Sequence, residues 1–119
     1  QSKTLLELYQ HAALCYRLYQ EKHISSRNLY DAFKQMELLL LWSGDREVDA
    51  DSLKKWRGLK GEYEIELVRK FEDLKSYAKI AERQEKWGLC KSHLSKIMAC
   101  FPDEKDKRYQ WARENYRRL

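Results

Sequence analysis

The helical pattern is clearest in residues 74–102, which read LKSYAKIAERQEKWGLCKSHLSKIMACFP. Apolar residues recur at steps of three and four on both sides of Gly88, the spacing that gives each of two helices one buried face. Pro102 cannot continue a helix, so the second helix is predicted to end at Phe101. The stretch therefore predicts a helical hairpin, with Gly88 closing its first helix.

A longer helical segment precedes this hairpin. Apolar residues of helical spacing extend over residues 53–81, and Asp51 or Ser52 is placed to cap the start of the helix. Gly58 and Gly61 interrupt the segment, and each glycine costs about 1 kcal/mol in a helix interior. We therefore expect either a short helix followed by a long one, or one long helix that bends near Gly61.

Two more helices are predicted near the start of the chain and one at its end. Residues 4–21 and 27–42 each carry an apolar stripe of helical spacing, and Ser25 and Ser26 are natural N-caps for the second of them. Asp103 can cap a last helix. The sequence thus predicts about five helices arranged as antiparallel hairpins.

The composition favours the all-α class. The 119 residues include one proline and four glycines, whereas a β-rich chain needs more turn residues than this. Apolar residues make up 43% of the chain, enough for a packed core, and no strand-like alternation is found. The length suits a single helical domain over residues 1–119. A start at Gln1 is typical of a piece of a longer chain.

Charge and cysteine content bear on partners and environment. The net charge is +5, and residues 105–118 hold six lysines and arginines against two acids, a milder excess than that of a nucleic-acid-binding tail. Cys90 and Cys100 would lie about 15 Å apart on one helix, too far for a disulfide, which needs Cα atoms within about 7 Å. With Cys15 they are predicted to be buried free thiols, which favours a cytoplasmic location. No membrane span is predicted.

The hairpin resembles a tetratricopeptide repeat, in which two antiparallel helices cross closely at small residues. The matching residues are Leu74, Tyr77, Ala78, Trp87, Cys90, Leu94 and Pro102. Ala81 and Ile97 depart from the pattern, because the family usually has an aromatic residue at the first position and Ala at the second. Trp111 and Ala112 repeat the large–small pair in the next helix, and residues 9–41 carry a fainter echo. Too few repeats are present for a long array, so the resemblance implies a bundle or short solenoid.

The resemblance also implies a groove that binds a peptide or a partner helix. Its residues are expected on the first helix of the hairpin and on the last helix of the chain. They are Lys75, Lys79, Arg83, Tyr109, Arg113, Tyr116 and Arg117. Cations beside tyrosines can hold the acidic groups of a peptide. We therefore predict a noncatalytic protein–protein interaction or scaffold module.

Three alternatives stay open. The basic, aromatic last helix could bind RNA or DNA, with phosphates on its cations and bases stacked on its tyrosines. Cys90 and His93 lie three residues apart and could form a nucleophile–base pair. The long third helix could mediate self-association. The acidic stretch 45–51 lacks the central Gly and the correctly spaced terminal Glu of a calcium loop, so we expect no calcium site there. Because the sequence shows no clear catalytic constellation, no metal-ligand spacing of histidines and no phosphate-binding Gly loop, the leading prediction has no metal, no cofactor and no enzymatic activity.

Overall fold

The computed structural model describes residues 4–21, 27–44 and 46–119. Within these ranges the chain forms five helices and no strand. The helices are α1 (Leu5–Glu21), α2 (Asn28–Ser43), α3 (Ala50–Arg83), α4 (Trp87–Cys100) and α5 (Lys107–Arg118). The predicted all-α class and the predicted number of helices are confirmed. Ser25 and Ser26, predicted to cap the second helix, lie outside the described residues.

The chain divides into two compact units, Gln1–Glu66 and Leu67–Leu119. The first part of α3 belongs to the first unit and its second part to the other unit. The single domain over residues 1–119 therefore stays a prediction.

In the first unit, α1 and α2 pack together as a hairpin. Their buried apolar residues are Leu8, Ala12, Cys15, Leu29, Tyr30, Ala32, Met36 and Leu39. The first part of α3 adds Tyr63, whose ring stacks on Tyr16 with centroids 4.4 Å apart. The Tyr19 hydroxyl donates a hydrogen bond of 3.1 Å to the Glu66 carboxylate. Burial, followed by the neighbouring tyrosines, raises the pKa of Tyr63 to about 12.

In the second unit, the end of α3 packs with α4 and α5 around one apolar core. Its buried residues are Leu67, Leu74, Ala78, Ala81, Cys90, Leu94, Ile97, Cys100, Phe101 and Ala112. The Phe71 ring meets Phe101 and Trp111 edge-on, with centroids 6.0 Å and 5.9 Å away. Such edge-to-face pairs add about 0.5–1.5 kcal/mol beyond the burial of their area. They hold α3 against the end of α4 and against α5.

α3 is one continuous helix of 34 residues, so a single long helix is confirmed over a short helix followed by a long one, and the bend near Gly61 stays a prediction. A Cβ added at Gly58 or Gly61 would meet nothing within 4 Å. Neither glycine is therefore required by close packing. The N-cap differs from the prediction of Asp51 or Ser52, because Asp49 accepts hydrogen bonds from the Ser52 backbone N–H at 3.0 Å and from its hydroxyl at 2.8 Å.

The turn between α3 and α4 corrects the role predicted for Gly88. α3 ends at Arg83, and Glu85 takes the left-handed conformation with φ 59°. The Lys86 N–H donates to the Ala81 carbonyl at 2.9 Å and the Glu85 N–H to the Glu82 carbonyl at 3.0 Å, the paired bonds of a Schellman C-cap. Gly88 lies inside α4 instead of closing α3. The left-handed position is occupied by Glu85, so the prediction that Gly88 ends α3 is wrong.

The start of α5 also differs from the prediction, whereas the end of α4 agrees with it. α4 ends at Cys100 and its C-cap is Phe101, directly before Pro102. The N-cap of α5 is Asp106, whose carboxylate accepts from the Arg108 backbone N–H at 2.8 Å and from its guanidinium at 2.7 Å. The predicted cap, Asp103, instead accepts from the Lys105 N–H in the preceding turn.

Candidate binding groove

Three neighbouring cavities open on the second unit, with volumes of about 560, 470 and 200 Å³. Together we call them the α3–α5 groove. Their polar and aromatic lining residues are Lys79, Glu82, Arg83, Glu85, Trp87, Lys91, Trp111, Asn115 and Arg118. Glu82 lines all three cavities. The Glu82 side chain is therefore a wall that the three cavities share.

The floor of the groove is apolar and built from small residues. Ala78, Cys90 and Leu94 line the cavity of about 200 Å³, and each is at most 2% exposed. Ala78 and Cys90 are the residues at which the tetratricopeptide resemblance expects the two helices to cross. Both residues line this cavity. Their side chains are short, so they fill little of the space between the helices.

Glu82 and Arg118, which line the same cavity of about 200 Å³, form an ion pair. The two guanidinium nitrogens lie 2.8 and 3.0 Å from the two carboxylate oxygens, a bidentate arrangement. Asn115 accepts a further hydrogen bond of 3.1 Å from Arg118. The hydrogen bond from Arg118 lowers the pKa of Glu82, and the same bond raises the pKa of Arg118. Each member of the pair therefore favours the charged form of the other.

The three predicted binding residues of α3 occupy successive turns of the helix but do not share one environment. The Lys75 ammonium lies 5.3 Å from the centre of the Trp111 ring and 5.6 Å from that of Phe71. Lys79 and Arg83 are exposed and line the cavity of about 560 Å³. Lys75 thus covers the aromatic core of the unit, whereas Lys79 and Arg83 face the groove.

The four predicted residues of α5 lie elsewhere on that helix. The Arg113 guanidinium lies 5.6 Å from the centre of the Tyr109 ring, and Lys91 of α4 lies 5.4 Å from that of Tyr116. Arg117 is exposed. None of these four lines a cavity of the α3–α5 groove as the structure describes it.

The face of α5 that lines the groove carries Trp111, Asn115 and Arg118 instead. These residues are spaced four and three apart, so they form one stripe of a helix. None of the three was predicted from the sequence as a binding residue, and neither were Glu82, Lys91 or the exposed Trp87. The spacing of Trp111, Asn115 and Arg118 indicates one face of a helix, but residues on other faces of α5 have the same spacing. Spacing alone therefore does not identify the face that lines the groove.

The geometry around Cys90 does not activate its thiol. Burial raises the pKa of Cys90, and the negative charge of Glu82 acts in the same direction. A nucleophilic cysteine needs the opposite shift, because the thiolate is the reactive form. The His93 ring lies 5.6 Å from the Tyr77 ring, and burial lowers the pKa of this histidine. All three cysteines are buried and outside any disulfide, as predicted.

In the part of the chain that the structure describes, His, Cys, Asp and Glu side chains form no group of three that could hold a metal ion. No helix in the same ranges combines the length and apolar character needed to cross a bilayer.

Comparison of the chain with protein-family models, with curated proteins and with solved structures gives no match.

Proposed function

We propose that the chain is a noncatalytic protein-interaction module whose α3–α5 groove binds an acidic peptide segment of a partner protein. The observation that carries this proposal is the charge of the groove. Its charged lining residues are four cations, Lys79, Arg83, Lys91 and Arg118, and two carboxylates, Glu82 and Glu85. Since Glu82 already engages Arg118, the remaining cations favour a ligand that brings negative charge.

The groove also offers apolar contacts of the kind that anchor peptides. The Trp87 side chain is 49% exposed at the edge of two cavities, and Trp111 lines the third. Binding energy at interfaces is concentrated in a few aromatic and arginine contacts surrounded by a polar rim. A peptide with acidic residues beside an apolar one would satisfy both parts of the groove.

The proposal keeps the tetratricopeptide-like interpretation of residues 74–116. Two facts support it: the hairpin of α3 and α4 carries buried small residues at Ala78 and Cys90, and α5 follows as the next helix against α4. Ala81 and Ile97, the two residues that depart from the repeat pattern, are buried in the core, since Ala81 is 1% and Ile97 0% exposed.

The test is binding of a fluorescein-labelled oligo-glutamate peptide at low salt, followed by fluorescence anisotropy. We expect the double substitution Lys79→Glu with Arg83→Glu to weaken binding at least about tenfold, because two attractive charges become repulsive. The matched control is Lys54→Glu with Arg57→Glu, which makes the same change in net charge at exposed positions of α3 in the first unit. Equal losses in the two variants, or no binding by the unaltered protein, would refute the groove proposal.

The second candidate function is nucleic-acid binding, and it is favoured by α5, which carries five lysines and arginines against one glutamate. Two tyrosines of this helix already have a cation near the ring, which leaves less open ring face for base stacking. A labelled single-stranded oligonucleotide tests this function. Binding should fall steeply as salt rises and should weaken on Arg113→Gln with Arg117→Gln. Absence of binding at low salt would dispose of this candidate.

A further inference from the structure

One acidic side chain lies at the centre of the basic groove. Glu82 lines all three cavities and Arg118 lines two of them, so the side chains of this ion pair are shared walls of neighbouring cavities. The pair connects residues 36 positions apart in sequence, one in the last turns of α3 and one in the last turn of α5. Its position is therefore set by the packing of the helices and not by local spacing within one helix.

The pair is open to solvent and to competition. The Arg118 side chain is 54% exposed and that of Glu82 is 33% exposed. Exposed ion pairs contribute little to stability, because water screens them and both long side chains lose freedom. An incoming carboxylate at the same guanidinium would replace one bidentate contact by an equivalent one. Asn115 would continue to orient Arg118 during that exchange.

We propose that Glu82 is an internal competitor that occupies the position of a ligand carboxylate on Arg118, and that an Asp or Glu side chain of the bound peptide displaces it. This inference rests on the proposed function and specifies the ligand group and its receptor. Release of Glu82 would remove a side chain that this cavity of about 200 Å³ shares with its neighbours. The apolar floor at Cys90 and Leu94 then receives the residue next to the peptide carboxylate.

Competition between Glu82 and the ligand for Arg118 predicts a difference between Glu82 and Glu85 that general charge attraction does not predict. Glu82 and Glu85 both line the cavity of about 560 Å³, but only Glu82 forms the pair with Arg118. Neutralising either residue raises the net charge by one unit. A gain in affinity specific to Glu82 therefore measures its competition for Arg118, and the same substitution at Glu85 measures the general effect of charge.

The experiment measures anisotropy of the labelled oligo-glutamate peptide with four variants: Glu82→Gln, Glu85→Gln, Arg118→Gln and the double variant Glu82→Gln with Arg118→Gln. We expect Glu82→Gln to bind about threefold tighter than Glu85→Gln. Arg118→Gln should bind about tenfold more weakly than the unaltered protein. In the double variant the specific gain should vanish, because Arg118 is no longer there to be released. Circular dichroism confirms that each variant is folded.

The outcomes separate this inference from the proposed function. If the peptide binds and the Lys79→Glu, Arg83→Glu variant loses binding, but Glu82→Gln gains no more than Glu85→Gln, the groove function holds and the competitor role is refuted. A gain at Glu82 that persists without Arg118 also refutes the competitor role. If no variant binds the peptide at low salt, both proposals fail.

Discussion

Glu85 provides a quantitative test of the turn that sets the angle between α3 and α4. It occupies the left-handed C′ position of the helix C-cap with φ 59°, a conformation that costs a residue with a Cβ about 1–2 kcal/mol. Glycine avoids this cost but loses about 0.5–1 kcal/mol more conformational entropy on folding. The substitution Glu85→Gly should therefore raise the free energy of unfolding by about 1 kcal/mol.

The assay is thermal unfolding followed by circular dichroism, where a change of this size corresponds to about 4 °C for a chain of this length. Glu85→Gln serves as the control, since it removes the charge but keeps the strained conformation, and it should leave the midpoint unchanged. Glu85→Asn should fall between the two, because Asn tolerates the left-handed region better than most residues. If Glu85→Gly lowers the midpoint, or raises it no more than Glu85→Gln does, conformational strain at this position is not the deciding term.

Three other predictions test the core and the helices. Gly58→Ala and Gly61→Ala should each raise the free energy of unfolding by about 0.5–1 kcal/mol, because an added Cβ meets nothing within 4 Å. Urea titrations measure this change, and a lower free energy of unfolding in either variant would show that the glycine is needed. Ile97→Ala should lower the free energy of unfolding by about 2–5 kcal/mol in the same titrations, since the side chain is 0% exposed. Burial raises the pKa of Tyr63 to about 12, so the unfolded chain releases this proton at lower pH than the folded one, and stability should fall as pH rises from 10 to about 12. Tyr63→Phe should remove that part of the pH dependence, and an unchanged pH profile would contradict the assignment.

The helices could be predicted from the sequence because their signal is local. Steps of three and four between apolar residues located all five helices to within a few residues of their ends. The helix ends were harder, since several acids near each start can serve as a cap. Asp49 and Asp106 cap their helices because N–H groups of the first helical turn point at them. Asp51 lies inside α3, and Asp103 accepts a similar bond from the Lys105 N–H in the turn before α5.

The candidate site was only partly predictable, for a reason that lies in tertiary packing. Lys79 and Arg83 were predicted from the resemblance to a tetratricopeptide repeat, and both line the groove. The partners across the groove depend on how α5 is rotated about its own axis. That rotation is fixed by contacts with distant residues, such as the Phe71 ring against Trp111, which no local pattern encodes.

The composition of α5 explains why its rotation is not visible in the sequence. Ala112 is its one buried residue within the described part of the chain, and a single small residue defines only the direction of the core. Two stripes of α5 lie on opposite sides of that direction. One carries Tyr109 and Arg113 and the other Trp111 and Arg118, so both combine an aromatic ring with arginine. Packing of Trp111 against α3 selects the second stripe for the groove. Arg117 and Arg118 are chemically identical neighbours, yet only Arg118 reaches Glu82, because one residue along a helix turns the side chain by about 100°.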